Sequence, residues 1–118
     1  MRQVFVLDCA DPERLAAFWA AALRYRRHPH SPPYTALDDP RGEGPKWLLQ
    51  RVPEPKVGKN RMHPDLRVTD MDGELARLTG LGATVVRGPF DDEGWLTTVL
   101  ADPEGNEFCL IVEPEGSS

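Results

Sequence analysis

Cysteine is scarce in this 118-residue chain. Only Cys9 and Cys109 occur, and the pair fits neither a disulfide framework nor the close ligand spacing of a zinc site. Both lie in apolar, strand-like surroundings, where cysteine serves as a small hydrophobe. No apolar run approaches the roughly 20 residues needed to cross a bilayer, which removes a membrane partner. The apolar stretch ahead of Asp8 in "MRQVFVLDCADPERL" is too short for a signal peptide, so a cytoplasmic location is expected. Positive charge is in deficit: 14 Lys and Arg against 19 Asp and Glu leave a net charge of -5. Nucleic-acid binding needs a basic footprint that displaces counterions from phosphates, so no nucleic-acid partner is expected. Also missing are a Gly-rich phosphate loop, a Gly-x-Ser-x-Gly elbow and a Cys/His catalytic pairing, and "DPEGN" at 102–106 reads as a turn.

What the chain has is punctuation. Its 12 prolines and 10 glycines cut it into short pieces, and those pieces repeat at a period of about sixty residues. Asp11 is placed to cap a helix with Pro12 at its first position and Glu13 in its first turn, and "ERLAAFWAAAL" sets Leu15, Phe18, Trp19 and Leu23 near one face. About sixty residues on, "DMDGELARLTGLG" opens on an aspartate, carries Leu75, Leu78 and Leu81, and ends on Gly82 as its C-terminal cap. An apolar strand precedes each helix, "QVFVLDC" and "MHPDLRV". Three more strand candidates follow each: "RYRRH", "YTALDD" and "KWLLQRV" in the first half, "ATVVRG", "WLTTVLA" and "NEFCLIV" in the second. The pattern predicts an α+β protein made of two βαβββ modules, residues 1–53 and 61–113, joined by a linker at about 54–60. The chain is thus expected to be a single domain.

A four-stranded sheet with one helix covers only one of its faces, and two such modules can curve their bare faces into an open barrel around a central cleft. Alternation along the strands assigns Val4, Val6, Asp8, Lys46, Leu48, Gln50, His63, Asp65, Arg67, Glu107, Cys109 and Ile111 to the bare side. It assigns Phe5, Leu7, Trp47, Leu49, Leu66, Val68, Phe108, Leu110 and Val112 to the helix side. His63 beside Asp65 is suited to general acid/base work, and Arg67 and Lys46 to orienting a substrate, with Asp8, Gln50, Trp95 and Glu107 as further ligand-binding positions. Phe90 and Tyr34 join Trp95 as wall candidates, and "FDDEG" before Trp95 reads as a mobile loop, a lid. Lys46, Arg51, Lys56, Lys59, Arg61 and Arg67, opposed only by Glu54 and Asp65, favour an anionic ligand or form an ordinary solvated flank.

Three stretches, "DCADPERLAAFWAAAL", "RMHPDLRVTDMDGELARLTGLGATVV" and "DPEGNEFCLIV", resemble the vicinal oxygen chelate superfamily. That superfamily includes glyoxalase I, extradiol dioxygenases, fosfomycin-resistance transferases and bleomycin-binding proteins, and the likeness is greatest to its small glyoxalase-like domains. The resemblance implies a homodimer and a divalent metal held by one side chain from the first and last strand of each module. Those positions fall here on Val4, Leu48, His63 and Cys109. Valine and leucine coordinate nothing, so the ligand set is incomplete and no cofactor is assigned; a displaced set of His63 and Glu107 with Asp65 is the alternative. Two functions follow. One is a lyase- or isomerase-type enzyme acting without the usual metal on a small anionic or carbonyl compound, with His63 and Asp65 catalytic. The other is a non-catalytic protein that sequesters a small molecule, as bleomycin-binding relatives do.

Overall fold

The computed structural model describes residues 3–28 and 32–114; residues 1–2 of the first module, 29–31 and the end beyond 114 lie outside them. The chain divides into two compact units, Met1–Val57 and Gly58–Ser118. Each is a βαβββ module, so the fold is α+β as the repeat predicts.

In the first unit β1 (Val4–Cys9) leads into α1 (Pro12–Leu23), followed by β2 (Arg26–His28), β3 (Tyr34–Asp38) and β4 (Lys46–Arg51). The sheet runs β1-β4-β3-β2, with β1 parallel to β4 and the other pairs antiparallel. Helix α1 starts where Asp11 accepts a hydrogen bond from the Arg14 N–H and stops at Arg24, which takes the left-handed conformation. Its buried face, Leu15, Ala16, Phe18, Trp19 and Ala22, packs on the sheet face that carries Leu37, Trp47 and Leu49. Trp19 and Trp47 lie 4.8 Å apart between ring centres, and Phe18 meets Trp19 edge-on at 5.2 Å, the offset geometry aromatic quadrupoles prefer. Cys9 is buried and its thiol donates to the Gln50 carbonyl, a packing role.

The second unit repeats the plan with β5 (Asp65–Arg67), α2 (Met71–Leu81), β6 (Thr84–Asp92), β7 (Trp95–Ala101) and β8 (Glu107–Val112), in the order β5-β8-β7-β6. Asp70 caps α2 through the Gly73 N–H, and Gly82 ends it in the left-handed conformation. Met71 and Leu78 of the helix are buried, as are Thr98, Leu100, Phe108 and Leu110 of the sheet.

Three expectations need correction here. The strand expected at 62–68 is ordered as a strand only over Asp65–Arg67, because Pro64 has no N–H to donate to the ladder. Its carbonyl still accepts from the Cys109 N–H at 3.0 Å, so the approach to the sheet stays extended. The strand expected at 83–88 instead continues to Asp92. It survives Gly88 and Pro89 because β6 is an edge strand with register shifts on either side of Arg87, where an extra residue is accommodated as a bulge. Gly88 is obligatory there: its φ is 109° and a Cβ would come within 2.8 Å of the Thr97 carbonyl oxygen. Third, "FDDEG" is no lid. Phe90 to Asp92 belong to β6, Asp92 pairs with Trp95, and the two residues between, Glu93 and Gly94, both have positive φ, the signature of a tight type I′ hairpin.

Two buried aspartates organise equivalent turns. Asp102, at the end of β7, accepts from the Glu104 and Asn106 N–H groups and from the Asn106 side-chain amide. Asp39, just past β3, accepts from the N–H groups of Arg41, Glu43 and Gly44 and from the Arg41 guanidinium. The guanidinium and these backbone donors hold the Asp39 carboxyl down at about 2. Tyr25 lies against the same turn, and burial, then the Asp39 charge, raises its phenol above the usual range. No helix among the described residues is long and apolar enough to cross a membrane.

Candidate functional site

In the second unit the register decides which side chains meet on the helix-free face. Asp65 pairs with Cys109 and Arg67 with Ile111; across β8, Cys109 faces Val99 and Ile111 faces Thr97; across β7, Thr97 faces Phe90 and Trp95 faces Asp92. These residues, together with Lys59, His63 and Glu107, line one open hollow of about 500 Å³. Its floor is Val99, Cys109, Ile111 and Thr97. One wall, from the β6–β7 hairpin, carries Phe90, Trp95 and Asp92. The opposite wall, on and before β5, is ionisable: His63, Asp65 and Arg67.

The bulge in β6 builds the aromatic wall. Simple alternation from Arg87 would send Phe90, three residues on, to the helix side. Arg87 pairs with Val99 and Phe90 with Thr97, so the strand spends three steps against two of its partner and returns Phe90 to the hollow. The Arg87 guanidinium then rests over the Phe90 ring at 4.2 Å. On the other side Arg67 lies 5.1 Å over Trp95 and forms an ion pair with Glu113 at 3.1 Å, a stacked cation already matched by an acid.

Pro64 biases His63 toward an extended backbone, which puts His63 and Asp65 on the same side. Their Nδ1 and Oδ1 atoms are 3.2 Å apart, with the side chains 40% and 46% exposed. Among the described residues, His63 Nε2 has no hydrogen-bond partner. Cys109 is the register partner of Asp65. Burial first, then the Asp65 charge and hydrogen bonding to its carboxylate, raise the Cys109 thiol above its ordinary range, with Lys59 pulling the other way. Cys109 is therefore a protonated thiol at neutral pH and not an activated nucleophile. Glu107 holds the approach to β5: its Oε2 accepts from the Asn60 N–H at 2.9 Å and its own N–H donates to Asn60 Oδ1.

Of the positions singled out from sequence, His63, Asp65, Arg67, Trp95 and Glu107 thus line one hollow, together with Phe90. Asp8, Lys46 and Gln50 belong to the first unit, where Asp8 is paired with Gln50 and Lys46 with Val4. Lys46 borders a separate hollow with Asp38 and Asp39. Tyr34 lines another, beside Thr35, Arg51 and a Glu13 carboxylate that already binds Arg27 and Thr35. Of the basic cluster, only Lys59 and Arg67 line the second unit's hollow, against the carboxylates Asp65, Asp92 and Glu107. Sequence reasoning missed Asp92, Thr97 and Val99. The tight Glu93-Gly94 turn was the available signal, since it fixes Asp92 opposite Trp95 and sets the register inward.

A family model for glyoxalase-like domains matches residues 4–111. The chain belongs to that family. With it the chain joins the vicinal oxygen chelate superfamily. Among solved structures, this glyoxalase-like domain is similar to a glyoxalase/bleomycin resistance protein/dioxygenase family enzyme from Burkholderia phytofirmans PsJN, with a TM-score of 0.78 at 18% identity over 92% of this chain and 95% of that one. It is similar to TnmS3, an antibiotic binding protein from Streptomyces sp. CB03234, with a TM-score of 0.72 at 22% identity over 96% and 95%. It is also similar to TioX from Micromonospora sp. ML1, with a TM-score of 0.67 at 21% identity over 96% and 98%. At these identities the likeness is one of fold. No curated protein matches the sequence significantly.

The glyoxalase-like domain does not fit the four-position metal arrangement that the resemblance implies. Val4 and Leu48 are hydrocarbon side chains in the first unit, and neither has an atom that can coordinate an ion. In the second unit, His63, Asp65 and Cys109 bring their ligand atoms within 4.8 Å of one another, and Glu107 is not in that group.

Proposed function

We propose that this protein binds a small, flat, mostly apolar organic molecule in the hollow of the second unit and holds it without transforming it. The observation that carries the reading is the mixed lining: Phe90 and Trp95 on one wall with Asp92 beside them, Val99 and Ile111 on the floor, and His63, Asp65 and Arg67 on the opposite wall. Binding pockets combine an apolar body with a few convergent polar groups that fix orientation. The hollow's three carboxylates outnumber Lys59 and Arg67, and Arg67 is engaged by Glu113, so a neutral or cationic ligand suits it better than an anion. An antibiotic binding protein among its fold relatives supports sequestration as the role. The same reading treats both units as a single domain working in the cytoplasm as a homodimer, which light scattering and cell fractionation check.

The test is a thermal-shift screen of planar aromatic compounds that are neutral, cationic and anionic. A ligand at a hundred times its dissociation constant adds about 2.7 kcal/mol of stability. Neutral or cationic compounds should raise the melting temperature, and Trp95→Ala should remove the effect. Shifts untouched by Trp95→Ala and Phe90→Ala would rule the site out.

One observation favours a second reading, catalysis. Asp65 at 3.2 Å from His63 Nδ1 fixes the ring so that the other nitrogen can exchange a proton with a bound molecule. Under that reading a screening hit is converted by the wild type and merely bound by His63→Ala.

A further inference from the structure

The resemblance implies a metal centre that draws on both units, and that centre is not available here. We propose instead that His63, Asp65 and Cys109 form a three-donor site for a zinc-class ion within the second unit alone. It does not rest on the organic-ligand reading, because the ion can be titrated with no organic molecule present.

The geometry comes from backbone pairing. Asp65 and Cys109 are partners in the parallel β5–β8 register, so their side chains leave the sheet side by side on the helix-free face. Pro64 keeps the preceding residue extended, and His63 comes down two residues before Asp65 on the same side. The ligand atoms lie within 4.8 Å of one another. A tetrahedral ion with bonds of roughly 2.0–2.3 Å needs its ligands about 3.5 Å apart, so the group closes on an ion by rotamer adjustments of about an ångström. The imidazole and carboxylate are exposed and can make that adjustment, while the thiol, 9% exposed, is held in the sheet.

The donor types choose the ion. Imidazole, carboxylate and a thiolate, formed as the Cys109 thiol gives up its proton to solvent on binding, together suit Zn²⁺, whereas Mg²⁺ and Mn²⁺ favour oxygen ligands and water. Three protein ligands with a fourth position open to the hollow is the arrangement of an accessible site rather than a closed structural one. The competing account is that the three side chains form a hydrogen-bonded chain and nothing more.

The experiment uses the full chain, freed of metal with a chelator and titrated with Zn²⁺, Co²⁺ and Mg²⁺ in separate calorimetric runs. Zn²⁺ should bind one to one. His63→Gln, at an exposed position that leaves the fold undisturbed, and Cys109→Ser should each weaken it by more than the roughly 100-fold that loss of an outer-sphere partner causes. Cys9→Ser, which alters the other buried thiol, should leave affinity unchanged. Bound Co²⁺ should show a sulfur-to-cobalt charge-transfer band that Cys109→Ser abolishes, a signature that merely structural damage would not imitate. Circular dichroism checks the fold of each variant. No Zn²⁺ binding, binding that survives both substitutions, a cobalt spectrum without the sulfur band, or Mg²⁺ bound as tightly as Zn²⁺ would overturn the proposal.

Discussion

Asp102→Ala is the substitution whose cost is best defined by the structure. The Asp102 carboxylate is buried at the turn between β7 and β8, the two strands that supply the floor of the hollow. Its Oδ1 accepts from the Glu104 N–H at 2.9 Å, the Asn106 N–H at 2.9 Å and the Asn106 amide at 3.1 Å, and its Oδ2 accepts from the same amide at 3.0 Å. Alanine strands three donor groups where water has little access. Each group left unpaired costs about 1–3 kcal/mol; taking the low end for all three gives a loss of about 3 kcal/mol, more than 100-fold in the folding equilibrium. Asp102→Asn retains an oxygen at the Oδ1 position and with it three of the four contacts, so it should lose about half as much. Urea denaturation followed by tryptophan fluorescence reads this directly, since with a slope of about 1–3 kcal/mol per molar a 3 kcal/mol loss moves the midpoint by about 1–3 M. The reasoning fails if the alanine variant lies within about 1 kcal/mol of wild type, or if the two variants are equally damaged.

Three further outcomes are expected. Because the folded state holds Asp39 at about 2, below the ordinary carboxyl value, its contribution is complete above about pH 4 and drains away as the pH falls toward 2; acid titration of Asp39→Asn should show a flatter decline in that window than wild type. Trp19→Ala should cost about 3–5 kcal/mol, since Trp19 is 1% exposed and contacts both Phe18 and Trp47, and an unchanged denaturation midpoint would refute the packing described for the first unit. Cys109 should react slowly with iodoacetamide at pH 7, and Asp65→Asn should speed it by removing the charge that holds the proton on sulfur; equal rates measured by mass spectrometry would break that link.

How much of this was legible in the sequence depended on how far each feature is fixed by its own neighbours. Both helices were readable because Asp11, Asp70 and Gly82 mark their ends locally. The two-sidedness of β4 was readable because Trp47 and Leu49 are buried and Lys46, Leu48 and Gln50 are not. Its counterpart β8 shows Phe108 and Leu110 buried in the same way, but Cys109 is buried too, on the other face. Alternation failed where pairing overrides it. Gly88 and Pro89 look like a strand end, yet the edge position lets them sit in a bulge that continues β6 and swings Phe90 inward. The meeting of Asp65 with Cys109 comes from a parallel register between strands more than forty residues apart, and no local pattern records it. Asp39 lay hidden in "DDPRGEGP" for a related reason. The segment reads as a loop, and only the folded backbone reveals that four donors converge on one carboxylate.

The bulged edge of β6 also bears on how the protein behaves when concentrated. Thr84 to Arg87 present open backbone groups and two exposed valines, Val85 and Val86, the kind of rim onto which another chain can zip. Pro89 offers no N–H, and the shifted register kinks the rim just beyond Arg87. A foreign strand would lose its template after a single turn of the ladder, so this sheet should resist fibrous growth. Replacing Gly88-Pro89 with residues that straighten the rim would expose the protein to it.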